Sequence, residues 1–200
     1  MKKKYRDHYS IKAGQENYPA RSVYKLKEMD KRFRLFSPGN KVLDLGAAPG
    51  SWTLYAAQRV RDRGRVLAVD RMESKIPFPA NVTFFCEDVF SRTPDLEAEM
   101  AALMPFDVVL SDMAPNTTGN KITDQARSLD LAGEALALAR TTLVKGGRFV
   151  VKIFMGPDVQ AFVQSMRPLF EKVKTFKPKS SRSESKEMFY LGLGFRGLVD

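Results

Sequence analysis

Residues Lys41 to Trp52 read KVLDLGAAPGSW. An apolar run reaches an acid at Asp44, turns through glycine, alanine and proline, and meets the chain's one tryptophan. In an α/β sheet, a turn at the end of a strand helps decide which ligand is held. A phosphate loop reads G-x-x-x-x-G-K-[ST]; here the second glycine comes early and no Lys-Ser/Thr follows. A dinucleotide fingerprint needs G-x-G-x-x-G, whereas residues 46–51 read G-A-A-P-G-S. Neither pattern fits.

On both sides of this turn, short apolar runs alternate with helical periodicity. Residues 1–20 are polar, with Tyr5, Tyr9 and Tyr18 among charges, and are read as an arm or short helix. From Arg21 to Leu35, the residues Ser22, Leu26, Met29 and Phe33 share one helical face, with Lys25 and Lys27 off it. SPGN at 37–40 breaks the chain. KVLDLG is then a buried strand, and 51–61 a helix with Trp52, Tyr55, Ala56 and Val60 inward. RVLAVD and NVTFFCED are strands, and 95–104 is a short helix. FDVVLSDMAP is a strand running into a loop. Residues 124–144 form a long helix with Ala126, Leu129, Ala132, Leu136, Ala139 and Leu143 in register. GGRFVVKIF is a strand, and Asp158 caps a helix over DVQAFVQSMRPLF. Strands near 171–177 and 187–195 finish the chain.

Strands separated by helices mean a mostly parallel sheet covered on both faces, the Rossmann-like α/β class. Only the polar run KPKSSRSESK separates the last two strands, so the final strand should enter antiparallel. The reading is one domain over 1–200, with a basic arm at 1–20 and a core from 21.

With 44% hydrophobic residues, 200 residues suffice for a sizeable core. Lys and Arg number 33 against 23 Asp and Glu. Residues 1–41 alone hold twelve basic residues against four acidic ones. A polyanionic partner is implied. One cysteine, Cys86, allows no intrachain disulfide and no Cys-based zinc site; its apolar run suggests a core thiol. With His8 as the sole histidine, nucleophilic triads lack material. No metal site, membrane span or secretory signal is read, and the cytoplasm is the default location.

Each of the first four strands carries an acid to or near its carboxyl end: Asp44, Asp70, Asp88 and Asp112. An acidic rim repels pyrophosphate and suits a cationic, adenosine-bearing ligand. Asp70 can accept both ribose hydroxyls, and Asp88 the adenine amino group. Gly46 and Gly50 let backbone approach closely, and with Trp52 they would line a methionine-like arm. S-adenosylmethionine has these parts and a positive sulfonium.

Taken together, VLDLGAAPGSW, VLAVD, DVVLSDMAPNTTG, VVKIF and SRSESKEMFYLGLGF resemble the FtsJ-like family of 2′-O-ribose RNA methyltransferases, from about Tyr18 to Phe195. Within it, the likeness is nearest to the members acting on large-subunit ribosomal RNA. The resemblance implies a seven-stranded sheet with an antiparallel last strand, S-adenosylmethionine as cofactor, and a uridine ribose as target. It also implies a Lys-Asp-Lys-Glu tetrad. The motifs place its members at Lys25 in VYKLKEM, Asp112 in LSDMAP, Lys152 in VVKIF and Glu187 in SKEMF. The cofactor positions so implied are Gly50, Trp52, Asp70, Asp88 and Asp112.

A ribose hydroxyl is a weak nucleophile whose proton must leave as the methyl arrives. Lys152, set in an apolar strand, is the expected proton acceptor, since burial and Lys25 would both lower its pKa. Asp112 opposes that shift, so the net sign stays open. A protonated Lys152 would instead steer and stabilise charge, with much of the rate coming from alignment. Lys25 and Glu187 would hold the ribose and the lysine network.

RNA would follow basic flanks: Lys2, Lys3, Lys4, Arg6, Lys12, Arg21 and Lys31, then Lys177, Lys179 and Arg182. Tyr5 and Tyr9 are available for stacking. Arg21 and Arg182 stand nearest the tetrad in sequence. A methyltransferase acting on transfer RNA, one acting on a small molecule or protein, and a non-catalytic RNA-binding protein are the other readings. A monomer is expected.

Overall fold

The computed structural model describes residues 8–182 and 184–197. The elements in chain order are α1 (His8–Gln15), α2 (Val23–Phe33), β1 (Lys41–Leu45), α3 (Ser51–Val60), β2 (Arg65–Asp70) and β3 (Val82–Cys86). They continue with α4 (Pro94–Leu103), β4 (Phe106–Ser111), α5 (Lys121–Thr142), β5 (Leu143–Phe154), α6 (Val159–Met166), β6 (Phe170–Phe176) and β7 (Glu187–Phe195). Residues 1–7 lie outside this description, and with them Lys2, Lys3, Lys4, Tyr5 and Arg6.

The strands form one seven-stranded sheet of order β3-β2-β1-β4-β5-β7-β6. The pairs among β1 to β5 are parallel, and β7 runs antiparallel between β5 and β6. From β1 the chain moves outward to β2 and β3, then returns to place β4 on the other side of β1. That reversal opens a crevice beyond the carboxyl ends of β1 and β4.

Period-two alternation sorts the side chains onto two faces. One face carries Val42, Val66, Val108, Leu110, Val150, Phe189 and Leu191, packed under Leu26 and Met29 of α2 and Trp52, Ala56 and Val60 of α3. The other carries Leu43, Leu67, Val109, Phe149 and Val151 against α4, α5 and α6. Each fully buried Leu or Val contributes roughly 1.5–3 kcal/mol relative to exposure, so the alternation fixes the register strongly. Ala13 of α1 packs with Tyr18, Val23 and Tyr24 beside α3.

Several local expectations are corrected. Helix α5 starts at Lys121 rather than 124, because Asn120 Oδ1 accepts the amides of Ile122 and Thr123 (3.0 and 3.2 Å). Its inner face runs through Ser128, Ala132, Ala135 and Ala139, so Ala126 points outward. Asp158 does stand at the N-cap position of α6, but with backbone angles in the helical region (φ −84°, ψ −4°) and no side-chain cap hydrogen bond. Cys86 is exposed rather than buried, since β3 is the edge strand and covers one side only.

Candidate active site

Alternation along three neighbouring strands brings the lysines and acids together. Lys152 lies opposite Phe189 in the β5–β7 pair, and Glu187 is two residues along β7, so both face the α2 side. Asp112 follows β4, in phase with Val108 and Leu110 on that face. Lys25 reaches over the Phe189 ring from α2 at 5.8 Å. All four tetrad positions meet on one surface.

They meet as two pairs. Lys25 Nζ forms an ion pair with Glu187 Oε1, both side chains being largely buried. Lys152, 8% exposed, sits with Nζ 2.9 Å from Asp112 Oδ1 and donates to the Asp112 carbonyl at 2.5 Å. Burial by itself would raise the Glu187 carboxyl. The hydrogen bond and charge of Lys25, the charge of Lys152 and the Ser181 hydroxyl at 3.2 Å together overcome burial and hold it below the usual range.

The acids of the rim differ in depth. Asp44 is fully buried, one level beneath the turn rather than on the rim. Its Oδ2 accepts the Thr53 hydroxyl at 2.7 Å, while Oδ1 has no hydrogen-bond partner among the described residues. Burial pushes its carboxyl up to about 7, against the Thr53 hydrogen bond and with smaller pushes from Asp112 and Asp70. Asp70 ends β2, accepting the Ala48 amide at 2.9 Å and the Met72 amide at 2.7 Å. Asp88 lies two residues past β3 and accepts the Phe90 amide at 3.0 Å, with Arg71 3.9 Å away.

The glycines serve the chain itself. Gly46 (φ 76°) leaves room for the Met113 backbone, which an added Cβ would meet at 2.8 Å. Gly50 (φ 105°) gives way in the same sense to Ile76 and Phe78. Trp52 is buried, and its indole N–H donates to the Ser22 carbonyl at 2.9 Å, pinning α3 to the start of α2.

Next to Lys25 and Glu187 opens a cavity of about 350 Å³, lined by Arg21, Ser22, Ser180, Arg182, Glu184 and Ser185 as well as that pair. The structure thus brings Arg21 and Arg182 to the tetrad, although they are far apart in sequence. Lys177 is exposed, but its ammonium is tied to its own loop, donating to the Ser185 carbonyl and, at 2.8 Å, to that of Glu187. The Lys179 side chain is exposed. Sequence reading missed Glu28, whose carboxylate accepts the amides of Lys179 (2.7 Å) and Ser180 (2.9 Å). Its signal was the spacing 21, 25, 28, one helical face.

Among the described residues, no His, Cys, Asp or Glu group gathers to hold a metal ion, and no helix is long and apolar enough to cross a membrane.

Sheet order, antiparallel β7 and a lysine–carboxylate cluster at the strand ends define a Rossmann-like methyltransferase domain. The FtsJ-like methyltransferase profile matches residues 18–195, and the chain belongs to that family. A protein of Oleidesulfovibrio alaskensis named ribosomal RNA large subunit methyltransferase E is 65% identical over 99% of this chain and 96% of its own length. One of the same name from Treponema denticola is 48% identical, over 96% of each chain. Among solved structures, a Plasmodium falciparum protein described as a ribosomal RNA methyltransferase superposes with a TM-score of 0.80. It is 25% identical, over 90% of this chain and all of its own.

Proposed function

We propose that this protein transfers a methyl group from S-adenosylmethionine to a ribose 2′-hydroxyl of RNA, at a uridine of large-subunit ribosomal RNA. The observation that carries the reading is the convergence of Lys25–Glu187 and Lys152–Asp112 on one surface beside Asp44 of β1 and Asp70 of β2. The names of close relatives support the ribosomal substrate.

The residues present suit this cofactor. Asp44 keeps a buried carboxyl oxygen without a hydrogen-bond partner among the described residues, an acceptor left for a ligand that brings donors or positive charge. Asp112 Oδ1, by contrast, already faces the Lys152 ammonium at 2.9 Å. Asp70 would hold the ribose hydroxyls and Asp88 the adenine amino group, with Gly46, Gly50 and Trp52 shaping the wall of the methionine arm. When bound, S-adenosylmethionine supplies an electrophilic methyl on positively charged sulfur.

The chain's own groups then position the hydroxyl. Lys152 has the contacts of an ammonium, donating to one carbonyl and facing a carboxylate. In that state it orients the 2′-oxygen and does not take its proton. The hydroxyl becomes strongly acidic as the O–C bond forms, so its proton can leave late, to solvent water, without a strong base. Lys25 and Glu187 hold the ribose, and alignment supplies much of the rate. The whole chain acts as one catalytic unit, a cytoplasmic monomer with RNA as its partner.

Alkaline hydrolysis tests the chemistry, because a 2′-O-methylated linkage resists it. Methyl label from S-adenosylmethionine should survive in alkali-stable dinucleotides of ribosomal RNA. Label released in mononucleotides, or carried by protein, would overturn the reading.

A further inference from the structure

The connection between β6 and β7 is held to α2 by a set of contacts to which no role has been assigned. Glu28 captures two consecutive amides, Lys179 N at 2.7 Å and Ser180 N at 2.9 Å, one on each carboxylate oxygen. The Arg21 guanidinium donates to the Ser180 carbonyl from the turn that precedes α2. Ser181 N closes a turn onto the Pro178 carbonyl at 3.1 Å, and Ser185 N one onto that of Arg182 at 3.0 Å. Pro178 and Ser180 are buried, Glu28 is half-buried and Lys179 is exposed, so the grip lies at the protein surface with one side covered. Arg182 projects two residues beyond it, exposed on the lining of the 350 Å³ cavity that reaches Lys25 and Glu187.

That volume greatly exceeds a single phosphate and falls in the range of pockets that hold a small organic ligand. Its cations are on opposite walls, Arg21 on the α2 side and Arg182 on the loop. We propose that Glu28 is a positioning residue for RNA. It fixes the loop so that Arg182 and Arg21 close a subsite for the sugar–phosphate backbone of the nucleotide beside the reacting ribose. The subsite rests on the RNA reading above and adds to it the element that builds the site. Guanidinium groups suit this task, because their forked donors match a phosphodiester. Glu28 never meets RNA; its effect passes through Arg182.

A double-mutant cycle separates this from a merely structural role. The probe is unmethylated large-subunit ribosomal RNA, with dissociation constants measured across a salt series for the wild type, Glu28→Ala, Arg182→Ala and the double variant. Each single variant should weaken RNA binding about tenfold. The double variant should be little worse than either, not the hundredfold of independent sites. Each should lower the slope of log K against log salt by about 0.7–0.9, one phosphate contact. Glu28→Gln, which keeps one acceptor oxygen, should recover part of the loss. Affinity for S-adenosylmethionine should hold in all of them. If Glu28→Ala fails to fold, cofactor affinity falls with it, and Glu28→Gln paired with Arg182→Ala decides the cycle. Additive losses, or wild-type salt slopes in the variants, would overturn the proposal. Binding decides the subsite, whereas methyl incorporation by the wild type decides the reading beneath it.

Discussion

Lys152 is the residue on which the proposed chemistry concentrates. An 8% exposed lysine is tolerated within an apolar strand because Asp112 answers it twice, with carbonyl and carboxylate. Lys152→Ala should therefore abolish methyl transfer, by at least about a thousandfold, with cofactor affinity largely kept; near-normal turnover would remove Lys152 from the reaction. Asp70→Ala should weaken S-adenosylmethionine binding at least about tenfold by calorimetry, and an unchanged constant would sink its ribose role. Asp44 makes a prediction about pH. Burial raises its carboxyl from 3.8 to about 7, so between those values the folded state holds a proton that the unfolded chain has released. Its contribution to stability is thus full below about pH 4 and is lost as pH rises through 7. Asp44→Asn does not titrate. In cofactor-free protein, the melting temperature of this variant should gain on the wild type between pH 5 and 8; a constant difference would contradict the assignment.

At the scale of elements, α2 organises the substrate side of the site. Leu26 and Met29 bury against the sheet, while Lys25 and Glu28, with Arg21 in the turn before the helix, face the β6–β7 connection. The start of the helix is fixed by the Trp52 indole on the Ser22 carbonyl. Trp52→Phe would remove one of two donors to that carbonyl, leaving the Lys25 amide at 3.1 Å, and urea unfolding should show a loss of about 0.5–1.5 kcal/mol; no change would mean that the indole bond adds nothing to stability. Much of this arrangement was legible. Alternation in KVLDLG, FDVVLSDMAP and GGRFVVKIF marks which side chains share a face, and a lysine inside VVKIF stands out because its neighbours are all apolar. The remainder depended on distance. Asp44 and Asp70 look alike at the ends of strands, yet β1 is central and one lies a level deeper, so the burial of Asp44 cannot be read locally. Lys177 looks like a surface lysine until the fold of its loop offers it two carbonyls. Glu28 acts on amides about 150 residues away, and no local pattern records such a partner.

For the whole molecule, 33 basic against 23 acidic residues outlines the partner before any site is considered. Acids gather where an adenosine-bearing cation would bind, and Arg21 and Arg182 flank the tetrad on the other side. RNA affinity should fall steeply with salt while cofactor affinity changes little; a flat response for RNA would count against the basic track. The most direct test of the central claim is to incubate the protein with methyl-labelled S-adenosylmethionine and unmethylated large ribosomal subunits, then map the label to a nucleotide. The expected result is a ribose 2′-O-methyl group on a uridine of the large-subunit RNA, absent with Lys152→Ala. Label on a base, on transfer RNA in preference, or on no RNA at all would contradict it.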